Sequence, residues 1–194
     1  MDYRVVLGVL AVFVSLVGYV PYFRNILSGK TKPHAFSWFV WAVISGIAFG
    51  IQYTEGAGPG AWAAGFTALI CVVVFLCAFR NKNRFPATDW VALIVALVAL
   101  VLWLVAKQPL VSAILVSATD ALAFVPTYRK GFQRPYEDTP VTFGLNGLKF
   151  FLSLFALQTV SITTWIYPAS LVITNWAFVI MMYVRRSQIR TTHM

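Results

Sequence analysis

The sequence predicts an all-α membrane protein of seven transmembrane helices, on the evidence of composition, segment length and charge placement. Of its 194 residues, 60% are hydrophobic and only 11% are charged. A soluble domain of this length needs much more charged surface. An apolar helix of about 20 residues crosses the roughly 30 Å hydrocarbon core of a bilayer. Apolar segments near that length follow one another along this chain, separated by short polar breaks.

The predicted spans leave no loop long enough to hold another domain. The first apolar segment has no small-x-small cleavage site, so we expect it to stay as a membrane span and not to be removed as a signal peptide. In chain order the spans cover residues 4–23, 35–53, 60–79, 88–107, 109–128, 140–157 and 162–183.

Basic residues predict the orientation of these spans. Twelve Lys and Arg residues fall at alternate span ends, and only Arg4 and Lys107 fall at the opposite ends. The Lys-rich and Arg-rich side is cytoplasmic by the positive-inside rule, which places the N-terminus outside and the C-terminus inside. The absence of any Asn-x-Ser/Thr sequon and of a sorting tail favours a bacterial inner membrane.

Two stretches of the chain resemble each other, "GYVPYFRNIL" and "AFVPTYRKGF". Aligning Pro21 with Pro126 also aligns Arg24 with Arg129, at an offset of 105 residues. Each stretch closes an outside-to-inside span, and two more spans follow each one. The pattern predicts an internal duplication. Alternatively, proline and arginine are local stop signals, the proline breaking the helix ladder and the arginine reaching lipid phosphate.

A duplication divides the chain into two three-helix units that share one orientation. Such units need an odd number of crossings between them, and the span 88–107 supplies one. Parallel repeats of this kind are a transporter architecture, with the solute held near the middle of the membrane. The predicted parts are a first repeat at 1–84, a linker helix at 85–108, a second repeat at 109–184 and a basic cytoplasmic tail at 185–194.

This three-one-three topology resembles the PQ-loop superfamily, which includes the SWEET sugar transporters, the half-size SemiSWEETs and the cystinosin-like amino-acid exporters. The chain departs from the Pro-Gln pair that names the superfamily, with Pro21-Tyr22 and Pro126-Thr127 in its place. The resemblance implies a SWEET-like fold and passage of a small polar solute, such as a sugar, an amino acid or a vitamin-like compound, by alternating access. It also implies that Pro21 and Pro126 permit bending near the cytoplasmic gate.

The residues that a bilayer would otherwise reject form the predicted solute site. Asp120 and Lys149 are the ionisable residues deep in the spans, and at about 1.5 Å per residue both lie roughly 12 to 14 Å from the cytoplasmic ends. The resemblance implies a solute-facing asparagine at Asn175, although the equivalent first-half position is Ile70. As an alternative, an Asp120–Lys149 ion pair only joins two helices. The predicted lining of the central site is Ser15, Trp41, Asp120, Asn146, Lys149 and Asn175.

Other functional classes find little support in the sequence. It has no phosphate-binding glycine loop, no paired carboxylates at catalytic spacing and only two histidines, so we expect no enzyme activity, cofactor or metal. A net charge of +9 fits cytoplasmic loops better than nucleic-acid binding. The expected partners are a small solute and the lipid bilayer, with a homo-oligomer left open. A membrane receptor or assembly factor that transports nothing is the alternative function.

Overall fold

The computed structural model describes residues 2–28, 35–78, 87–133, 135–136 and 140–192, and these residues form helices without a strand. A short 3₁₀ turn at Gly58–Ala61 leads directly into the third helix. The seven helices are α1 (Tyr3–Leu27), α2 (Ala35–Thr54), α3 (Trp62–Ala78), α4 (Ala87–Leu104), α5 (Pro109–Gln133), α6 (Pro140–Phe155) and α7 (Ile162–Thr192).

The helices have the length and composition of a membrane protein. Four helical stretches are long and apolar enough to cross a bilayer: α1, the 3₁₀ turn together with α3, α5, and α7 as far as Ile189. The apolar parts of α2, α4 and α6 are shorter. Large apolar side chains cover the outside of the bundle, where water would be unfavourable and lipid is not. Examples are Phe13, Leu69, Val101, Leu122 and Ile173.

The predicted spans agree with the helices at most starts and differ at several ends. The prediction ends α1 at residue 23 and α5 at residue 128, but both helices continue for about one turn beyond the apolar run. Helix α7 extends through residues assigned to the basic tail and reaches Thr192. Arg and Gln favour helix as strongly as most apolar residues do, so loss of hydrophobicity marks a change of solvent and not the end of a helix.

Local hydrogen bonds fix the beginnings of the first and last helices. The Asp2 carboxylate accepts a hydrogen bond of 3.0 Å from the Arg4 backbone N–H. At the start of α7, Ser161 Oγ accepts from the Thr164 N–H, while Thr164 Oγ1 accepts from the Ser161 N–H. This reciprocal pair satisfies donors that would otherwise lack partners at a helix N-terminus.

The helices pack around a shared core. Helix α3 packs against both α1 and α2, and α7 packs against both α5 and α6. Helix α1 also packs against α6, α2 packs against α5, and α4 lies against both α2 and α5. The buried core between these helices includes Ile44, Ile47, Ala96, Val116, Phe150 and Leu171. This arrangement brings the middles of α1, α2, α5 and α6 around one axis.

The α2–α3 connection and the α6–α7 connection lie at the same end of the bundle and are joined by hydrogen bonds. The Gln158 N–H donates to the Ala57 carbonyl at 3.0 Å, and the Thr159 N–H donates to the Gly56 carbonyl at 3.2 Å. Gly56 has φ +76° and Gly58 has φ +58°, a backbone region that glycine occupies at little cost. We call these paired connections the loop seal.

Some predicted features lie outside the described residues. These include the first cytoplasmic loop at 29–34 and the segment 79–86, which together carry five of the twelve predicted cytoplasmic basic residues. Pro126 lies within α5, but its side chain is not among those described. Pro21 lies inside α1, where its missing N–H leaves the Val17 carbonyl without a helical donor. Its role as a hinge remains a prediction.

Candidate functional site

A cavity of about 390 Å³ lies among α1, α2, α3, α5, α6 and α7. The residues predicted for the central site all line it, so the structure brings together side chains from five helices that are far apart in the sequence. They are Ser15 on α1, Trp41 on α2, Asp120 on α5, Asn146 and Lys149 on α6, and Asn175 on α7. All six side chains line this one cavity. Their contact with a solute remains a prediction.

Lys149 is fully buried, and its ammonium group is hydrogen-bonded to side chains of α1 and α3. Lys149 Nζ donates to Thr67 Oγ1 at 2.9 Å and to Ser15 Oγ at 3.3 Å. The same nitrogen lies 5.3 Å from the Tyr19 ring centroid and 4.8 Å from that of Phe150. Hydroxyl oxygens and aromatic faces both attract an ammonium group, so the structure supplies this buried cation with partners.

Asp120 is placed differently from Lys149, although both line the same cavity. The two groups form no ion pair, since within the described chain no carboxylate oxygen lies within 4.0 Å of Lys149 Nζ. The alternative prediction, an Asp120–Lys149 ion pair that joins two helices, is therefore not formed as a direct contact. The Asp120 carboxylate makes no hydrogen bond to a described residue, and its oxygens are not completely buried. It therefore faces the cavity.

The two asparagines form a hydrogen-bonded chain between α6 and α7. Asn146 Nδ2 donates to Asn175 Oδ1 at 3.0 Å, and Asn175 Nδ2 donates to the Leu171 carbonyl at 2.8 Å. These bonds fix the orientation of both amides. The Asn146 Oδ1 atom is left buried with no partner among the described residues. A buried acceptor in a native structure normally has a donor, so this atom is suited to receive one from a bound molecule.

Aromatic rings cover one side of the cavity. The ring centroids of Trp38 and Trp41 lie 5.3 Å apart, and those of Tyr22 and Trp38 are also separated by 5.3 Å. Tyr19 continues the row at 6.5 Å from Tyr22. All four rings line the cavity, together with Phe124 from α5. The predicted stacking role of Trp41 thus has a structural setting, because a row of aromatic faces suits a flat or cationic group.

Several cavity residues were not predicted from the sequence. Thr67 and Tyr167 line the cavity, and Tyr167 shares a hydrogen bond of 3.2 Å with Ser45 across the bundle. Threonine and tyrosine are common in apolar spans, so their presence alone carries little information. The spacing of Thr67 could have predicted its place in the cavity. Thr67 lies four residues before Cys71, on the same helical face, and both line the cavity.

Burial shows which end of the bundle the cavity approaches. Its lining residues at the deep end, including Ser45 and Thr67, are buried, whereas Tyr22, Thr127 and Thr142 are partly exposed. These three lie near the end of α1, the end of α5 and the start of α6. Exposure therefore increases away from the loop seal, towards the side that the basic residues predict to be cytoplasmic.

The chain matches no protein-family model, no curated protein and no solved structure. Its resemblance to the PQ-loop superfamily therefore stays a prediction, based on the proline motifs and the predicted topology.

Proposed function

We propose that this protein is a membrane transporter that passes a small polar solute through the central cavity by alternating access. The observation that carries the proposal is the cavity itself, because it is lined by polar, charged and aromatic side chains inside an otherwise apolar bundle. Polar groups at this depth in a membrane are costly and are usually retained for a function. In volume the space suits a small molecule.

The two ends of the cavity differ in the way a transporter requires. At the end of the bundle beyond the buried part of the cavity, the loop seal joins the α2–α3 and α6–α7 connections through two backbone hydrogen bonds. Next to it, Gln52 Nε2 donates to the Thr164 carbonyl at 2.8 Å, a further link between α2 and α7. The other end is bordered by partly exposed residues. On this proposal the described conformation is open towards the cytoplasm, and the loop seal separates in the outward-open conformation.

The helix packing supports the proposed three-one-three arrangement. Helix α3 contacts α1 and α2, the other helices of the proposed first repeat, and α7 contacts α5 and α6 in the proposed second repeat. A twofold axis along the membrane normal would exchange α1 with α5 and α2 with α6. It would therefore exchange the contact of α1 with α6 for that of α2 with α5, and both contacts are present. On this proposal all seven helices cross the bacterial inner membrane, with the N-terminus outside, and α4 joins two parallel repeats.

Thermal stability measurements test whether the cavity binds a solute. The detergent-purified protein is screened against sugars, amino acids and vitamin-like nucleosides, because a ligand that binds only the folded state raises its melting temperature. We expect one class to raise it and Trp41→Leu to remove the effect. The matched control is Trp165→Leu, which changes an exposed tryptophan that does not line the cavity. Equal responses of both variants would contradict binding in this cavity.

Counterflow in proteoliposomes then separates transport from the alternative function. A transporter exchanges labelled solute against an internal pool, whereas a receptor or assembly factor binds the solute and exchanges none. We expect counterflow for the class that stabilises the protein. Stabilisation by a solute without any counterflow would favour the receptor.

A further inference from the structure

The charges lining the cavity differ in their access to a bound molecule. Lys149 is 0% exposed and Asp120 is 6% exposed. Two of the three ammonium N–H groups of Lys149 donate to Thr67 and Ser15, and its nitrogen lies near two aromatic rings. A solute anion would have to displace these neighbours. The accessible charge of the cavity is therefore the carboxylate of Asp120.

That carboxylate lacks the partners that a buried anion normally has. No hydrogen bond from the described residues reaches it, and no lysine, arginine or histidine nitrogen of the described chain lies within 4.0 Å. Removing a carboxylate from water without a counter-charge in direct contact is unfavourable. A positively charged group of a bound molecule would supply the missing partner at this position.

The walls beside Asp120 also suit a cation. Helix α2, which carries Trp38 and Trp41, packs directly against α5, which carries Asp120. Phe124 follows Asp120 by one helical turn and lines the same space. Aromatic faces attract ammonium groups, and they do so most strongly where water is excluded.

We propose, as a refinement that rests on the proposed function, that the transported solute is an organic cation, an amine or a quaternary ammonium compound. Its charged group contacts the Asp120 carboxylate and the aromatic row formed by Tyr22, Trp38 and Trp41. Asn146 Oδ1, the buried acceptor without a partner, receives a hydroxyl or N–H group from the same molecule. In the described conformation Lys149 stays hydrogen-bonded to Ser15 and Thr67 and holds these two side chains in the cavity wall.

A pair of probes that differ in charge and hardly in shape tests this proposal on the unmodified protein. Choline and 3,3-dimethylbutan-1-ol have the same outline, with nitrogen in one replaced by carbon in the other. We expect choline to bind at least roughly tenfold more tightly, measured by quenching of tryptophan fluorescence or by thermal shift at fixed ionic strength. Equal binding of the two probes, or preferential binding of a carboxylate such as glutarate, would overturn the proposal.

Substitution of the carboxylate identifies the group responsible. Asp120→Asn keeps the size of the side chain and removes its charge, so we expect the preference for choline over the neutral probe to disappear. The matched control, Asp2→Asn, makes the same change at an exposed helix cap outside the cavity and should keep the preference. A preference that survives in Asp120→Asn would contradict the assignment to Asp120.

Failure of this inference is distinguishable from failure of the proposed function. If a neutral sugar or nucleoside stabilises the protein through Trp41 and choline does not, the cavity is a solute site and the cation assignment is wrong. If no solute class, including choline, binds to the protein, both the cation assignment and the proposed function are contradicted.

Discussion

Lys149 on α6 donates a hydrogen bond of 2.9 Å to Thr67 on α3 and so links these two helices at the depth of the cavity. Thr67 Oγ1 also donates to the Ala63 carbonyl at 2.6 Å. The threonine hydroxyl thus accepts from a buried cation while remaining bonded to its own helix. Through this bond the Lys149 ammonium links α6 to α3, and it also forms part of the cavity wall.

Replacing this hydroxyl should destabilise the protein. In Thr67→Val the ammonium loses one acceptor and stays buried, so we expect a loss of about 1 to 3 kcal/mol in the free energy of unfolding. The control is Thr119→Val, because the Thr119 hydroxyl also donates to the carbonyl four residues earlier but accepts no bond from a lysine. Chemical denaturation in detergent measures both. An equal, small effect in the two variants would show that the bond to Lys149 contributes nothing.

The asparagine pair should contribute little to stability. Interhelical hydrogen bonds in a membrane protein average about 0.6 kcal/mol and reach about 1.7 kcal/mol. We therefore expect a double-mutant cycle of Asn146→Ala and Asn175→Ala to give a coupling energy in that range. If both residues also serve the solute, each single variant should lose solute binding while remaining folded. Full binding in a folded Asn146→Ala variant would remove this residue from the site.

The orientation predicted from the basic residues is testable with two exposed positions at opposite ends of the bundle. In a protein lacking its native cysteines, Ser28→Cys at the end of α1 should be protected from a membrane-impermeant thiol reagent in intact cells. Val160→Cys, in the α6–α7 connection, should be labelled there. Permeabilised cells supply the control, in which both positions should react. The reverse pattern in intact cells would mean that the protein has the opposite orientation.

A disulfide across the loop seal should form and hold that end closed. A Cβ atom built on Gly56 lies 3.7 Å from the Thr159 Cβ, inside the range of about 3.5 to 4.5 Å found in disulfides. With Cys77 replaced by serine, Gly56→Cys with Thr159→Cys should cross-link under mild oxidation and raise the melting temperature, despite the strain of cysteine at φ +76°. Each single variant is a control. No cross-link in the pair would contradict the described loop contact.

Sequence patterns predicted much of this structure because membrane burial leaves a strong signal. Apolar runs located all seven helices, and the cost of charge in lipid identified Asp120 and Lys149 as inward-facing. Where the helices end was less predictable, since the turns of α1, α5 and α7 beyond the apolar runs depend on helix preference and not on hydrophobicity.

The partners of the buried charges could not be read from the sequence. Equal depth suggested that Asp120 and Lys149 meet, but depth along a helix does not specify the direction in which a long side chain extends. Lys149 reaches Thr67 and Ser15, whose hydroxyl oxygens cost less to bury than a second charge. The loop seal was also unpredicted, because it is formed by backbone groups that every residue carries.

The most direct measurement of alternating access is the labelling of Cys71, a native residue that lines the cavity. In a Cys77→Ser protein, a membrane-impermeant thiol reagent is applied to either face of sealed vesicles, and modification of Cys71 is read by mass spectrometry. We expect labelling from both faces in the unlocked protein. When the disulfide joins residues 56 and 159, labelling should persist from the cytoplasmic face and disappear from the outer face. Labelling from one face only in the unlocked protein, or from neither, would contradict transport through this cavity.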